Sequence, residues 1–205
     1  MPFKPNERVY RSMTLLDAIG LENPLAPEYR VSGYASTFDR YKLYDDIDGP
    51  IYEEIDPHAF DLADMSDVIL QYDHAGKVFA RTSNNTLQLS IDGHGLKIDA
   101  DLSLTEASRE LWQEISCGLI RQMSFCFTVS DAKFDYATST NHITRIGKVY
   151  DVSAVSIPAN PGTDIEARSQ YDGEIVKALA ERRAMKARLN LRARMDALKY
   201  GGNHV

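Results

Sequence analysis

The chain has 205 residues, 43% of them hydrophobic, and a formal net charge of −7 at pH 7. That length suffices for one well-buried core with room for an appendage, and no apolar run approaches the ~18 residues that a bilayer-spanning helix needs. The acidic balance disfavours general nucleic-acid binding, and two cysteines, Cys117 and Cys126, are too few for a disulfide framework.

Residues 1–28 read as an N-terminal arm. Its start, "MPFKPNERVYRSM", lacks the apolar stretch of a secretory signal, which favours a soluble chain in a reducing, intracellular setting. The apolar patch "MTLLDAIGL" suits either a short helix or a loose segment. From Tyr29 the pattern changes to short strand-like runs broken by turn residues: "YRVSGYAST", "DVILQYDH", "KVFARTSNNTLQLSID" and "HGLKIDADLSL". Asn84-Asn85 and Asp92-Gly93 suit hairpin connections, because these residues tolerate positive φ. Residues 29–168 are therefore expected to form a β-rich body of antiparallel character.

One helix is expected to interrupt it, over about 104–117. Leu104, Ser108, Leu111, Ile115 and Leu119 share a stripe, Ser103 and Glu106 have capping-box spacing, and Gly118 is a natural stop. The next stretch, "RQMSFCFTVS", alternates with period two. Met123, Phe125, Phe127 and Val129 fall on one face of a strand, and Ser124, Cys126 and Thr128 on the other. The polar stretch "DAKFDYATSTNHITRIGK" follows as a hairpin or surface loop, then the apolar strand "VYDVSAVSIPA", and Pro158 and Pro161 end the body.

Residues 169–205 differ from the body in sign. Between Asp172 and Lys199 lie 8 basic and 4 acidic residues, a balance of +4 that leaves −11 on the rest. Ala180, Ala184, Ala187, Leu191, Met195 and Leu198 trace a narrow apolar stripe. The segment is therefore expected to be a long basic helix, packed on a partner helix or the body, or solvated.

The five histidines, His58, His74, His94, His142 and His204, show no paired metal-site spacing such as HExxH. No GxxxxGK[ST] or GxGxxG loop is present, and no GxSxG nucleophile elbow. No metal and no cofactor are expected. Three elements remain: "LQYDHAG" with His74 at a strand end, "MSFCF" with Ser124 mid-strand, and "VYDVSAVSIPANP" with Asp151 inside an apolar strand. Each has a plain structural reading, as a surface histidine, a small residue and a satisfied or edge aspartate. The last needs a partner if buried, because an unpaired carboxylate in an apolar setting is costly.

In their order these elements resemble the serine proteases that mature the proheads of tailed bacteriophages, a family whose fold is similar to the herpesvirus capsid-assembly protease. The likeness runs from about Tyr29 to Glu166. It includes "GYASTFDRYKLYDDIDGPIYEEIDPHAF", "VILQYDHAGKVFART", "GLKIDADL", "GLIRQMSFCF" and "DVSAVSIPANPGTDIEAR". The residue pattern and the resemblance together give an expected α+β fold, mainly an antiparallel β-barrel body with a helix before the nucleophile strand and a long C-terminal helix. The resemblance implies Ser124 as nucleophile, His74 as base and Asp151 as the acid behind it. Three positions depart from the family's pattern: Asp151 stands where Glu is usual before "VS", Cys126 where Gly is expected, and His58 where "PGAF" has Gly. His58 is thereby a rival to His74. Cys126 reads as a packed small residue, since nothing beside it favours a low thiol pKa. Arg121 falls on the opposite face from Ser124 in a regular strand and takes no role.

The implied substrates are scaffold segments and capsid-protein extensions, together with the chain itself. The implied partners are the major capsid protein and scaffold, with a homodimer or scaffold contact through the C-terminal helix, and neither membrane nor specific nucleic acid. The implied place is the bacterial host cytoplasm, inside the assembling prohead, and the tail after "NPGTDIEARSQ" is either removed or a tether. Two other classes stay open: a catalytically silent assembly or scaffolding protein of the same fold, and an unrelated peptide- or ligand-binding barrel. A Ser124 to His74 separation within about 3.5 Å, with a carboxylate behind the ring, separates the enzyme from both.

Overall fold

The computed structural model describes residues 8–19, 29–156, 180, 181, 183–185 and 188, and for 12–19 the backbone alone. The chain divides into two compact units, Met1–Ala167 and Arg168–Val205. In the second, the described residues are helical. Most of the expected C-terminal helix lies outside the described residues, and no long helix is found among those that are described.

The first unit runs β1 (Arg8–Ile19), β2 (Arg30–Thr37), β3 (Tyr41–Asp46), β4 (Gly49–Ile55), β5 (Ile69–Tyr72), β6 (Ala75–Arg81), β7 (Leu87–Ile91), β8 (Gly95–Asp101), α1 (Glu106–Ser116), β9 (Gln122–Asp135) and β10 (Thr140–Val155). The described strands form one ten-stranded sheet in the order β3-β4-β10-β9-β1-β2-β8-β7, with β5 attached to β10 and β6 to β5.

This corrects the expected α+β barrel. The described residues are mostly β, α1 is their one helix of seven or more residues, and the sheet does not close. The reason lies in β10. One of its edges pairs with β9, while the other is divided between β4 at Thr140–Ile143 and β5 at Asp151–Ala154, both parallel. Between these two partners the Asp64 N–H donates to the Gly147 carbonyl at 2.9 Å, and Val149 N–H donates to the Asp64 carbonyl at 3.0 Å. The sheet therefore forks along β10.

The described part of the patch "MTLLDAIGL", residues 13–19, is neither helix nor loose segment: it belongs to β1, which pairs antiparallel with β9 and β2, with Tyr10 opposite Cys126 and Leu16 opposite Gly33. Residues 8–15 pair with β9 and residues 16–19 with β2, long-range pairings that a local apolar pattern does not display. Asp92-Gly93 closes the β7–β8 hairpin as expected, with Ile91 opposite Leu96. Asn85 does take left-handed backbone at φ 63°. The strands flanking it, β6 and β7, pair with β5 and β8 instead of each other, so no hairpin forms there.

Helix α1 starts later than the capping-box spacing predicts, because Thr105 caps it: its Oγ1 accepts from Ser108 N–H at 3.0 Å. Leu104 and Leu119 consequently fall outside the helix and are exposed. The buried face is Ser108, Leu111, Trp112 and Ile115, with the Trp112 indole donating to the Arg30 carbonyl at 3.1 Å. The polar stretch 131–148 is the turn of the β9–β10 hairpin with the end of β9 and the start of β10.

Phe125 and Phe127, fully buried, stack with ring centroids 4.3 Å apart on one face of β9. Burying side chains of this kind contributes about 1.5–3 kcal/mol each. The other face is also enclosed: Ser124 is 1% exposed, Cys126 0% and Thr128 5%. The small residues there fit because both faces of the first half of β9 are covered.

Candidate active site

The site is assembled from two strands and a turn. Ser124 lies on β9, Asp151 on β10, and His74 in the two-residue connection between β5 and β6. Tyr72 pairs with Ala75 across that connection, and Asp73 and His74 both have left-handed backbone, with φ 47° and 55°. Two successive positive φ angles make the tight turn whose twist matches the strands it joins. Asp and His are among the non-glycine residues that enter this region more readily.

Asp151 reaches the face of Ser124 through a β-bulge. On β10, Val149 is opposite Phe127, but Asp151 is opposite Cys126, so the register slips by one at Tyr150. A regular strand would set Asp151 opposite Phe125, on the aromatic core face. The extra residue turns its carboxylate to the side that carries Ser124 and Cys126, the re-aiming that a bulge provides.

The result is a continuous chain of contacts. His74 Nδ1 lies 2.5 Å from Asp151 Oδ1, and His74 Nε2 lies 2.6 Å from Ser124 Oγ. With the Nδ1 proton donated to the carboxylate, Nε2 is left to accept from the Ser124 hydroxyl. Asp151 is 5% exposed and satisfied: besides His74, the Ser153 hydroxyl donates to its Oδ1 at 2.8 Å. The contact at Nδ1 also shows that the shorter aspartate spans the distance in this fold. The His74 side chain is 17% exposed and links the enclosed Ser124 to the surface. Such an arrangement can remove the serine proton during attack on a carbonyl and return it to a leaving group.

The sequence reading misses two contributors. Ser153 is one of several small residues in "DVSAVS", and its place two residues after Asp151 on β10 puts its hydroxyl on the same face as the carboxylate. Tyr10 precedes the region of likeness, yet β1 carries its ring to within 4.7 Å of the His74 imidazole, edge to face at 74°. Burial, followed by interaction with the Cys126 thiol, raises the Tyr10 phenol above its ordinary value.

Cys126 lies between Tyr10 and Asp151 in the register. Its thiol is pushed up to about 12, first by burial and then by the Asp151 charge, which makes it a poor nucleophile near neutral pH. His58 is not brought to the group; it is exposed, with Nδ1 3.2 Å from Asp61 Oδ2. Arg121 donates from Nε to the Gly118 carbonyl at 3.0 Å, bound back to the end of the preceding helix. Among the described residues, no group of three or more His, Cys, Asp or Glu is placed to hold a metal ion, and no helix is long and apolar enough to cross a membrane.

No curated protein and no solved structure matches this chain. The caudovirus prohead serine protease family matches residues 21–176, a stretch that contains His74, Ser124 and Asp151 and every strand from β2 to β10. The chain therefore belongs to the caudovirus prohead serine protease family.

Proposed function

We propose that this chain is a serine endopeptidase in which Ser124 is the nucleophile, His74 the general base and acid, and Asp151 the residue that orients and stabilises His74. Membership of the family points to a serine peptidase of phage capsid maturation, acting with capsid components within the assembling prohead. The finer assignment rests on one observation, the unbroken Ser124–His74–Asp151 chain with contacts of 2.6 and 2.5 Å.

In this reading Ser124 Oγ bonds to a peptide carbonyl carbon while its proton passes to His74 Nε2. Asp151, at Nδ1, steadies the imidazolium. Collapse of the tetrahedral intermediate breaks the C–N bond, Nε2 protonates the departing amine, and the acyl group stays on Ser124 until water repeats the cycle. The substrates are scaffold segments and capsid-protein extensions, and the chain itself.

Intact mass spectrometry of the chain co-expressed with the capsid protein encoded beside it tests this. The native sequence is expected to give cleavage products that vanish with Ser124→Ala. Identical full-length masses from both, despite assembled shells, would favour the catalytically silent assembly protein.

A further inference from the structure

The turn that carries His74 is fastened to β10 by the residue beside it. The Asp73 backbone N–H donates to the Ala154 carbonyl at 3.0 Å, which continues the parallel ladder of β5 on β10. Its carboxylate accepts twice from Ser156, the residue after β10: Oδ1 from the backbone N–H at 2.9 Å and Oδ2 from the hydroxyl at 2.8 Å. Both oxygens are engaged, in the charge-assisted, two-point geometry that fixes orientation as well as distance.

Asp151 and Ser156 thus hold the same turn from one strand, the first at the imidazole and the second at the neighbouring carboxylate. Two adjacent non-glycine residues in left-handed backbone form a strained turn that persists only where its surroundings hold it. Asp73 and Ser156 are both exposed, so their bonds add little to global stability, and what they fix is local.

We infer that Asp73 is a positioning residue for His74: its grip on Ser156 sets the turn where the imidazole meets Ser124 and Asp151 together. The inference rests on the proposed roles of those three residues. It also accounts for aspartate where glycine or asparagine would make the turn itself more easily.

The test is the rate at which the full chain reacts with a fluorophosphonate, read at saturating probe, beside the melting temperature of each variant. In that reaction Ser124 Oγ bonds to phosphorus, fluoride leaves, and the hydroxyl proton goes to His74. Asp73→Gly suits the left-handed backbone better than aspartate but removes the carboxylate. It is expected to slow the reaction about 10²-fold, the scale of a misplaced catalytic group, with melting essentially unchanged. Asp73→Asn keeps an acceptor for Ser156 and is expected to retain most of the native rate. Asp73→Gly combined with Ser156→Ala should react no more slowly than Asp73→Gly alone, since both act through one contact.

A native rate in Asp73→Gly would overturn the inference while leaving the nucleophile assignment intact. So would a melting temperature that falls in step with the rate, because Asp73 would then support the fold at large. No adduct on Ser124 in the native chain would overturn that assignment and the inference with it.

Discussion

Glu53 on β4 and Asp151 on β10 are both buried carboxylates in the same sheet, and they are satisfied in opposite ways. Glu53, 0% exposed, accepts from Arg11 Nε at 2.5 Å and Nη2 at 3.2 Å, from Asn141 Nδ2 at 2.8 Å, and from the Tyr41 hydroxyl. None of these donors gives up its proton near neutral pH. Guanidinium does not titrate there, and burial, then the Glu53 charge, holds the Tyr41 phenol well above its usual range. Asp151 accepts instead from an imidazole and a serine hydroxyl. The other nitrogen of that imidazole meets Ser124, and the ring reaches solvent. Fixed donors turn a buried acid into a strut, whereas a titratable partner open at its far side suits one to the proposed proton relay.

Removing charge at each acid breaks the comparison most sharply. Asp151→Asn presents an amide to Nδ1 and favours the wrong tautomer, with an expected loss of about 10⁴-fold in turnover and little change in melting. Glu53→Gln removes the carboxylate charge that Arg11, Asn141 and Tyr41 converge on, with an expected cost of about 3 kcal/mol in urea unfolding. Turnover per folded molecule should hold. If Glu53→Gln loses turnover without losing stability, or Asp151→Asn does the reverse, the distinction fails.

The two thiols sharpen the same contrast at smaller scale. Cys117 is exposed, and Cys126 is buried against Asp151 with its thiol at about 12. Iodoacetamide at pH 8 should add one carbamidomethyl group, at Cys117, and reach Cys126 only after denaturation; peptide mass mapping reads this directly.

The exposed acids give the weakest effect. Asp64, beside Lys148 and Ser66, and Asp135, bonded by Thr138 and Ala137, are held below the ordinary carboxylate value. A lowered folded-state value contributes stability above the unfolded value of about 4 and loses it as pH falls further. The contribution of these acids to melting should therefore be constant from pH 7 to 5 and decline below about pH 4, read as the difference in melting temperature between the native chain and Asp64→Asn.

How far the site is legible in the sequence follows from the range of each interaction. The alternation in "MSFCF" places Ser124 opposite the aromatic face by local geometry alone, and His74 and Asp151 stand out through the order of their segments. Strand counting cannot place Asp151, because the bulge at Tyr150 exists only in the pairing with β9. The same holds for the double partnership of β10, which forks the sheet where a barrel is expected, and for β1, whose central place depends on β9 and β2. Tyr10 and Asp73 are ordinary residues locally, and each gains its contact from a segment distant in sequence, whereas Ser153 meets Asp151 from two residues along the same strand.

The most direct measurement is peptide mapping by mass spectrometry after fluorophosphonate treatment of the native chain, Ser124→Ala and His74→Ala. The relay predicts one adduct, on Ser124, absent from Ser124→Ala and formed at least about 10³-fold more slowly in His74→Ala. An adduct on another residue, or a native rate without His74, would contradict it.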